Sequence, residues 1–398
     1  MNAALRNIFV TQNFPPESGG MSRRHAELVA RYAEPMDVST VAGCDPSNPD
    51  QYSGNRIYRQ GFTANTAKLF PNQVRWGHWL ASHCMSHAGV IHCGEIRPTG
   101  YAVWWAHSRA RVPYVIYVNG GDLLRERQKA ARHWSKRVAA VRIMGSAAGV
   151  VANSDWTAAL ARHVMAEIGV ADPPPVAAID LGTDPQHFHP SKATGALRAR
   201  LGVGDAPMLL CVARLVPHKG QDTAIRILAE LSGEYPSLHF VVVGKGDDGS
   251  RLRSLAAELQ VSGRVHLVGQ LADAELAEAY AGATAYIGMS RLDNDVNVEG
   301  FGISFVEASA SALPVIAGDS GGVRSAVRDS ETGLVVSPTD VAAGAQAVRQ
   351  ILGNGALRAR MRSTARQSVE THFNWDRVAS ETLAFVRDCV HARRVVSD

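Results

Sequence analysis

The chain has 398 residues, too many for one ordinary domain and suited to two of about 190. With 46% hydrophobic and 20% charged residues it is a globular protein with sizeable cores. A net charge of +4 is too small for this length to argue for a nucleic-acid partner, though it suits an anionic ligand. Five scattered cysteines (Cys44, Cys84, Cys93, Cys211, Cys389), odd in number and with no Cys-x-x-Cys, fit the reduced thiols of a cytosolic protein. The chain enters a strand at Asn7–Thr11 with no basic-then-apolar leader. No apolar run approaches the roughly 20 residues that span a bilayer. A cytoplasmic protein is therefore expected. Strand candidates Ile8–Thr11, Val38–Ala42, Gly89–His92, Tyr114–Val118, Gly149–Ala152 and Val176–Ile179 alternate with helical stretches such as Ser22–Tyr32 and Pro71–Ala88. That alternation predicts a parallel, doubly wound α/β sheet.

After the first strand comes Gln12-Asn-Phe-Pro-Pro-Glu-Ser-Gly19-Gly20-Met-Ser22, with Ser22 as a helix-cap candidate. Two glycines at a strand-to-helix turn let backbone N–H groups approach a phosphate or sugar, or simply make the turn. His78, His83, His87 and His92 match only part of one helix face and read as ordinary core or surface histidines, so no metal site is expected. From Leu123 to Arg142 seven cations face one acid, Glu126, as on a solvated helix or a surface for an anionic membrane or acidic acceptor. The Pro-rich stretch Asp172–Pro175 and the turn Pro185–Pro190 bracket the expected junction. The first domain is then 1–190 and the second 191–374. A C-terminal helical segment near 375–398 is free to pack on either half.

The pattern restarts with strands Met208–Val212, Leu238–Val243, Val265–Val268, Ala285–Met289 and Pro314–Ala317. The first of these ends in Ala213-Arg214-Leu-Val-Pro-His-Lys219-Gly220, a basic pair able to clamp a diphosphate or to decorate a surface. The second ends in Gly244-Lys-Gly246-Asp-Asp-Gly249, a literal G-x-G-x-x-G. Its two aspartates would repel a pyrophosphate, and the next strand ends at Val268-Gly-Gln270 without a ribose-binding acid. A nicotinamide-dinucleotide oxidoreductase is thus a rival reading with little support. Asp319-Ser-Gly321-Gly322 is a further glycine loop at a strand end, either lining a cleft or making a turn. Between these lies Arg291-Leu-Asp-Asn-Asp-Val-Asn-Val-Glu299-Gly-Phe-Gly-Ile-Ser-Phe-Val-Glu307. Glu299 is expected at or before a helix start and Glu307 about two turns in, on the order of 12 Å apart. That spacing suits gripping two parts of an extended ligand, not a shared-proton dyad.

As an ordered set these residues resemble the retaining glycosyltransferases of family 4, which have the GT-B fold of two Rossmann-like domains. The family's Glu-x7-Glu element matches Glu299–Glu307. Ala312-Leu-Pro-Val-Ile-Ala, Gly321-Gly322 and Glu331-Thr-Gly-Leu-Val follow it at the usual distances. Arg214 with Lys219 matches the basic pair, and Gly19-Gly20 the N-terminal glycine loop. The stretch Arg291–Glu307 looks like the bacterial phosphatidylinositol mannosyltransferase-like branch.

The resemblance implies that Arg214 and Lys219 hold the donor diphosphate and stabilise its leaving charge. It implies that Glu299 and the backbone of Phe301, Gly302 and Ile303 hold the donor sugar, and that Glu307 binds the ribose. Val268 would lie against the base, Gly244 would join the donor-binding positions, and Gly20 beside Gly19 would approach the diphosphate. It further implies retention, front-face attack, no metal and no cofactor. The donor is a nucleotide sugar, with GDP favoured over UDP through the mannosyltransferase-like branch. The acceptor is a small molecule or a lipid, the latter with contact at the inner face of a membrane. The family's His-Gly-x-Asp/Glu reads Asn119-Gly-Gly-Asp122 here. Asn119 can accept and donate hydrogen bonds but carries no charge, which keeps a non-catalytic sugar-nucleotide binder as a second rival. Leu181-Gly-Thr-Asp184 likewise departs from the common Asn-Gly-Val-Asp.

Overall fold

Uninterrupted apolar runs such as Tyr114–Val118 and Met208–Val212 suit strands covered on both faces, and both are buried along their length save the last residue of the second. The structure, a computed structural model, describes residues 6–17, 19–34, 36–41, 55–60 and 69–397. The chain divides into two units, Met1–Leu181 with Trp375–Asp398, and Gly182–Asn374.

In chain order the first unit runs β1 (Arg6–Thr11), α1 (Gly20–Arg31), β2 (Met36–Thr40), β3 (Ile57–Arg59), α2 (Leu69–His87), β4 (Ala88–Cys93), α3 (Thr99–Ala110) and β5 (Tyr114–Val118). It continues with α4 (Gly121–Arg132), α5 (Trp134–Gly145), β6 (Gly149–Ala152), α6 (Asp155–Ile168) and β7 (Val176–Ala178). The strands form one parallel sheet in the order β3-β2-β1-β4-β5-β6-β7. Its core packs Trp76, Leu80, Ile91, Tyr114, Ile116 and Val150 between sheet and helices.

The second unit runs α7 (Ala196–Leu201), β8 (Met208–Val212), α8 (Gln221–Glu230), β9 (His239–Val243), α9 (Gly249–Glu258), β10 (Val265–Gly269) and α10 (Asp273–Gly282). Then come β11 (Ala285–Gly288), α11 (Ile303–Ala310), β12 (Val315–Gly318), α12 (Val323–Ala326), β13 (Gly333–Val336), α13 (Val341–Gly353) and α14 (Gly355–Thr371). Its parallel sheet has the order β10-β9-β8-β11-β12-β13. Two Rossmann-like units, the expected α/β class, are therefore what the chain builds.

Several expectations change. The units divide at Leu181/Gly182 rather than at 190. Phe188 is fully buried edge-on against Tyr280, and Arg366 donates to the carbonyls of Pro185 and Phe188, so this turn belongs to the second unit. The last segment is one helix, α15 (Trp375–Ser397), of the first unit. Cys389 lies against Gly149 so closely that a Cβ there would stand 2.7 Å from its sulfur, and Arg393 donates to the Ser146 carbonyl at 2.8 Å. Ser22 is not a cap. Gly19 precedes the helix, and the Ser22 hydroxyl donates back to the Glu17 carbonyl at 2.6 Å. Ala42 and Cys44 lie outside the described residues.

Candidate functional site

In the second unit the strand-end loops are locked together by backbone. Leu215 N–H donates to the Lys245 carbonyl at 3.0 Å, and Asp248 N–H to the Leu215 carbonyl at 3.1 Å. This explains the G-x-G-x-x-G match without a dinucleotide. A Cβ on Gly244 would stand 2.0 Å from the Ala213 oxygen, and one on Gly246 2.2 Å from the Leu215 oxygen. The glycines let one loop lie on the loop that carries Arg214. Asp248 is turned to Arg251, with two contacts of 2.6 Å. Beside this turn is a cavity of about 410 Å³ walled by Leu215, Lys245, Asp247, Arg253, Leu267 and Gly269 among others. Val268, expected against a base, is off its wall, because successive strand residues face opposite sides.

The charged groups follow the same carboxyl edge. Arg214 is exposed and makes no side-chain hydrogen bond or ion pair among the described residues. The Lys219 ammonium lies 2.5 Å from Glu299 Oε2, with both side chains more than four-fifths buried. Ser290 donates to the same oxygen at 3.4 Å. Glu299 is set by its backbone: its carbonyl accepts from Gly322 N–H at 2.9 Å, and a Cβ on Gly321 (φ +59°) would sit 2.2 Å from it. The second glycine loop is thus a seat for Glu299. The preceding acidic loop is anchored by Arg291, which grips Asp222 at 2.8 and 3.0 Å. Burial opposes the Asp222 charge, but Arg291 and Arg251 outweigh it and hold the carboxyl below its ordinary range. Burial, then the Lys219 charge, lowers His218 to about 4, so it is neutral at pH 7.

Gly302 (φ +95°) precedes α11, whose first residue is Ile303. Glu307 is the fifth residue of that helix, one turn in rather than two, since Gly300–Gly302 are not helical. It is buried, and Tyr280 donates to its Oε2 at 2.7 Å. Phe301 is buried and packs on Phe373, fixing the backbone between the two glutamates.

Gly19, Gly20 and Asn119 belong to the first unit. Gly19 (φ +139°) sits ahead of α1 with nothing within 4 Å of where a Cβ would be, so conformation and not packing selects glycine there. Asn119 follows β5; its N–H donates to Asp122 at 3.0 Å and its Oδ1 accepts from Arg24 at 2.9 Å. Two residues here carry no obvious sequence signal. Arg24 is buried. Glu95, after β4, accepts from the Thr11 and Thr99 hydroxyls, the Gln12 N–H and the Asn13 amide, tying the loop after β1 to the end of β4. The histidines scatter: His83 meets Asp37, His92 meets the Tyr117 hydroxyl, and His78 lies edge-on to Trp105. The His87 side chain is outside the described residues.

Comparison with known proteins accounts for both units. A family described as "Glycosyl transferase 4-like domain" matches residues 19–182, and one described as "Glycosyl transferases group 1" matches 195–368. The D-inositol 3-phosphate glycosyltransferase of Acidothermus cellulolyticus is 32% identical over 96% of this chain and 88% of its own length. The GDP-mannose-dependent alpha-(1-6)-phosphatidylinositol monomannoside mannosyltransferase of Mycobacterium tuberculosis is 36% identical over 52% of this chain. The matched part spans about half (54%) of that mannosyltransferase. In fold, the chain is similar to the sucrose-phosphate synthase of Thermosynechococcus elongatus (TM-score 0.79, 24% identity, 98% and 100% of the two chains). It is also similar to Anabaena HepE in complex with UDP and glucose (TM-score 0.76, 20% identity, 96% and 99%). These matches leave no support for the oxidoreductase reading. The chain belongs to the family 4, group 1 glycosyltransferases of GT-B fold, in the branch of phosphatidylinositol mannosyltransferase-like proteins.

Proposed function

We propose that this chain transfers a glycosyl group, with retention and without a metal, from a GDP-sugar to a hydroxyl of an acceptor that carries an inositol phosphate. The observation that carries the reading is the Lys219–Glu299 pair and the exposed Arg214, unpaired among the described residues, at the carboxyl edge of a parallel sheet, where ligands of such sheets bind. Arg214 and Lys219 set two positive charges against a diphosphate. As the bond from the anomeric carbon to the phosphate oxygen breaks, charge grows on that oxygen, and the two cations stabilise it. The acceptor oxygen attacks from the same face and its proton passes to the departing phosphate, so no side-chain base is required. Glu299, steadied by Ser290, orients Lys219 and offers its carboxylate to sugar hydroxyls. Glu307, held by Tyr280, is suited to ribose hydroxyls. His218, neutral at pH 7, adds no third charge. GDP and the inositol-phosphate acceptor are supported by kinship: the relatives' names speak of GDP-mannose, phosphatidylinositol monomannoside and D-inositol 3-phosphate.

Melting the protein with GDP, UDP and NADH in parallel tests the donor. GDP at 100-fold its Kd should add about 2.7 kcal/mol of stability, UDP less and NADH none. A shift with NADH alone would overturn the reading. Mass spectrometry of donor hydrolysis then separates an enzyme from a non-catalytic binder.

One surface favours a lipid-linked acceptor. Trp134, 79% exposed, stands at the α4–α5 junction among exposed Arg125, Lys129, Arg132 and Lys136. The acid of this stretch, Glu126, is buried beside Arg97 at 2.8 Å. An exposed aromatic side chain in a cation-rich stretch suits an anionic bilayer surface. No helix among the described residues is long and apolar enough to cross a membrane, so the contact is peripheral. The protein should sediment with phosphatidylglycerol vesicles and not phosphatidylcholine vesicles, and Trp134→Ala should weaken this. Failure to sediment with either lipid would point to a soluble acceptor.

A further inference from the structure

Arg24 is a buried guanidinium with no acid in contact. It is 1% exposed, on the second turn of α1, and makes no ion pair among the described residues. Nη1 donates to Asn119 Oδ1 at 2.9 Å and lies 3.5 Å from the Val118 carbonyl, while the cation stands 5.0 Å over the Tyr117 ring. Its Nε has no hydrogen-bond partner among the described residues. Burial lowers its pKa to about 10, which leaves it charged at neutral pH. Asp122 is the carboxylate whose charge acts on it, and both oxygens of Asp122 are used by backbone N–H groups of Asn119 and Leu123. A buried cation without a paired acid is unfavourable for folding alone.

The second observation is at Asn119. A guanidinium only donates, so the Asn119 oxygen must face Arg24 and the amide cannot be flipped. That leaves Nδ2 as the free end, and Nδ2 is buried with no hydrogen-bond partner among the described residues. A buried unpaired donor calls for a missing acceptor. The adjoining turn adds positive potential, because Gly120 (φ +91°) opens the 12-residue helix α4 with its N-terminus beside Asn119. A cation, a helix N-terminus and a donor-only amide converge on one point at the carboxyl end of β5.

We propose that Arg24 is a positioning residue that locks the Asn119 amide, leaving Nδ2 to donate to a substrate oxygen and supplying there the positive charge that asparagine lacks. It also links two expected binding elements, since α1 begins at the Gly19–Gly20 loop and Arg24 reaches the turn after β5. The inference rests on the glycosyl-transfer reading only for the identity of that oxygen.

Three variants test it. Arg24→Met keeps the length and removes the charge. It should melt no more than about 2 °C below wild type, yet lower kcat for donor turnover at least about tenfold with donor KM little changed. Arg24→Lys should recover part of the rate. Asn119→Asp gives the guanidinium a carboxylate, and should raise Tm while depressing turnover. A merely structural Arg24 gives the opposite pattern: Arg24→Met melts several degrees lower and loses activity only in proportion. That result, or wild-type turnover by Arg24→Met, overturns the proposal, as does an Asn119→Asp that melts below wild type. Should wild type turn over no donor, the glycosyl-transfer reading fails instead, and the two melting comparisons still decide whether Arg24 is an uncompensated charge.

Discussion

The two cations proposed for the diphosphate are embedded differently, and that separates their expected phenotypes. Arg214 is exposed and pairs with no side chain among the described residues, so Arg214→Ala should leave Tm within about 1 °C of wild type while lowering donor turnover by about 10²–10³. Lys219 neutralises Glu299, which is 15% exposed. Lys219→Ala therefore strands a carboxylate, and should cost about 1–3 kcal/mol of stability besides the same loss of turnover. Calorimetry beside kinetics on the pair checks this. Equal stability loss in both would mean the Lys219–Glu299 contact contributes nothing to the fold.

At the scale of elements, the glycine loops are mutual seats. The Gly321–Gly322 turn at the head of α12 supports the Glu299 carbonyl, so Gly321→Ala, which shares no atom with the donor, should displace Glu299 and lower turnover at least about tenfold. Unchanged kinetics in Gly321→Ala would show that the loop tolerates the shift. These contacts also mark where the sequence stops being readable. Eleven strands announce themselves as apolar runs. The edge strands β3 and β13, of three and four residues, do not. The strand-end loops and the ordered charges between Arg214 and Glu307 are legible as a pattern. What Gly244, Gly246 and Gly321 do is not, since a glycine's neighbour across space leaves no local mark. Arg24 is invisible for a related reason: an arginine on an amphipathic helix reads as solvent-facing until the fold shows it buried under Asn119.

For the whole molecule, buried histidines set the response to acid. Burial lowers His25 and His92 to about 3 and His218 to about 4, and moves His107, His239 and His266 the same way. His25, His92 and His218 stay neutral in the folded chain through mild acid, whereas an unfolded histidine takes up a proton below about pH 6.5. The unfolded chain then binds more protons, so the stability these groups contribute is complete above about 6.5 and is lost as pH falls towards about 4 for His218 and about 3 for His25 and His92. Tm should fall steadily between pH 6.5 and 4.5, as stability drops by about 1.4 kcal/mol per pH unit for each fully buried histidine, before most carboxylates titrate. A Tm that is level across that window would contradict the neutral state of His25 and His92.

The first unit is also discontinuous in the chain, closed by a helix at the far end of the sequence. On a ribosome adding roughly 5–20 residues per second, the sheet of β1–β7 is complete some 10 to 40 s before α15 emerges. Through that interval the groups that α15 later covers, Gly149 and the Ser146 carbonyl, lack their partners, while Gly182–Asn374 already has every residue it needs to close. The order of birth is thus the reverse of the order of completion. A nascent chain of this protein keeps that face of its first unit uncovered until Trp375–Ser397 is made.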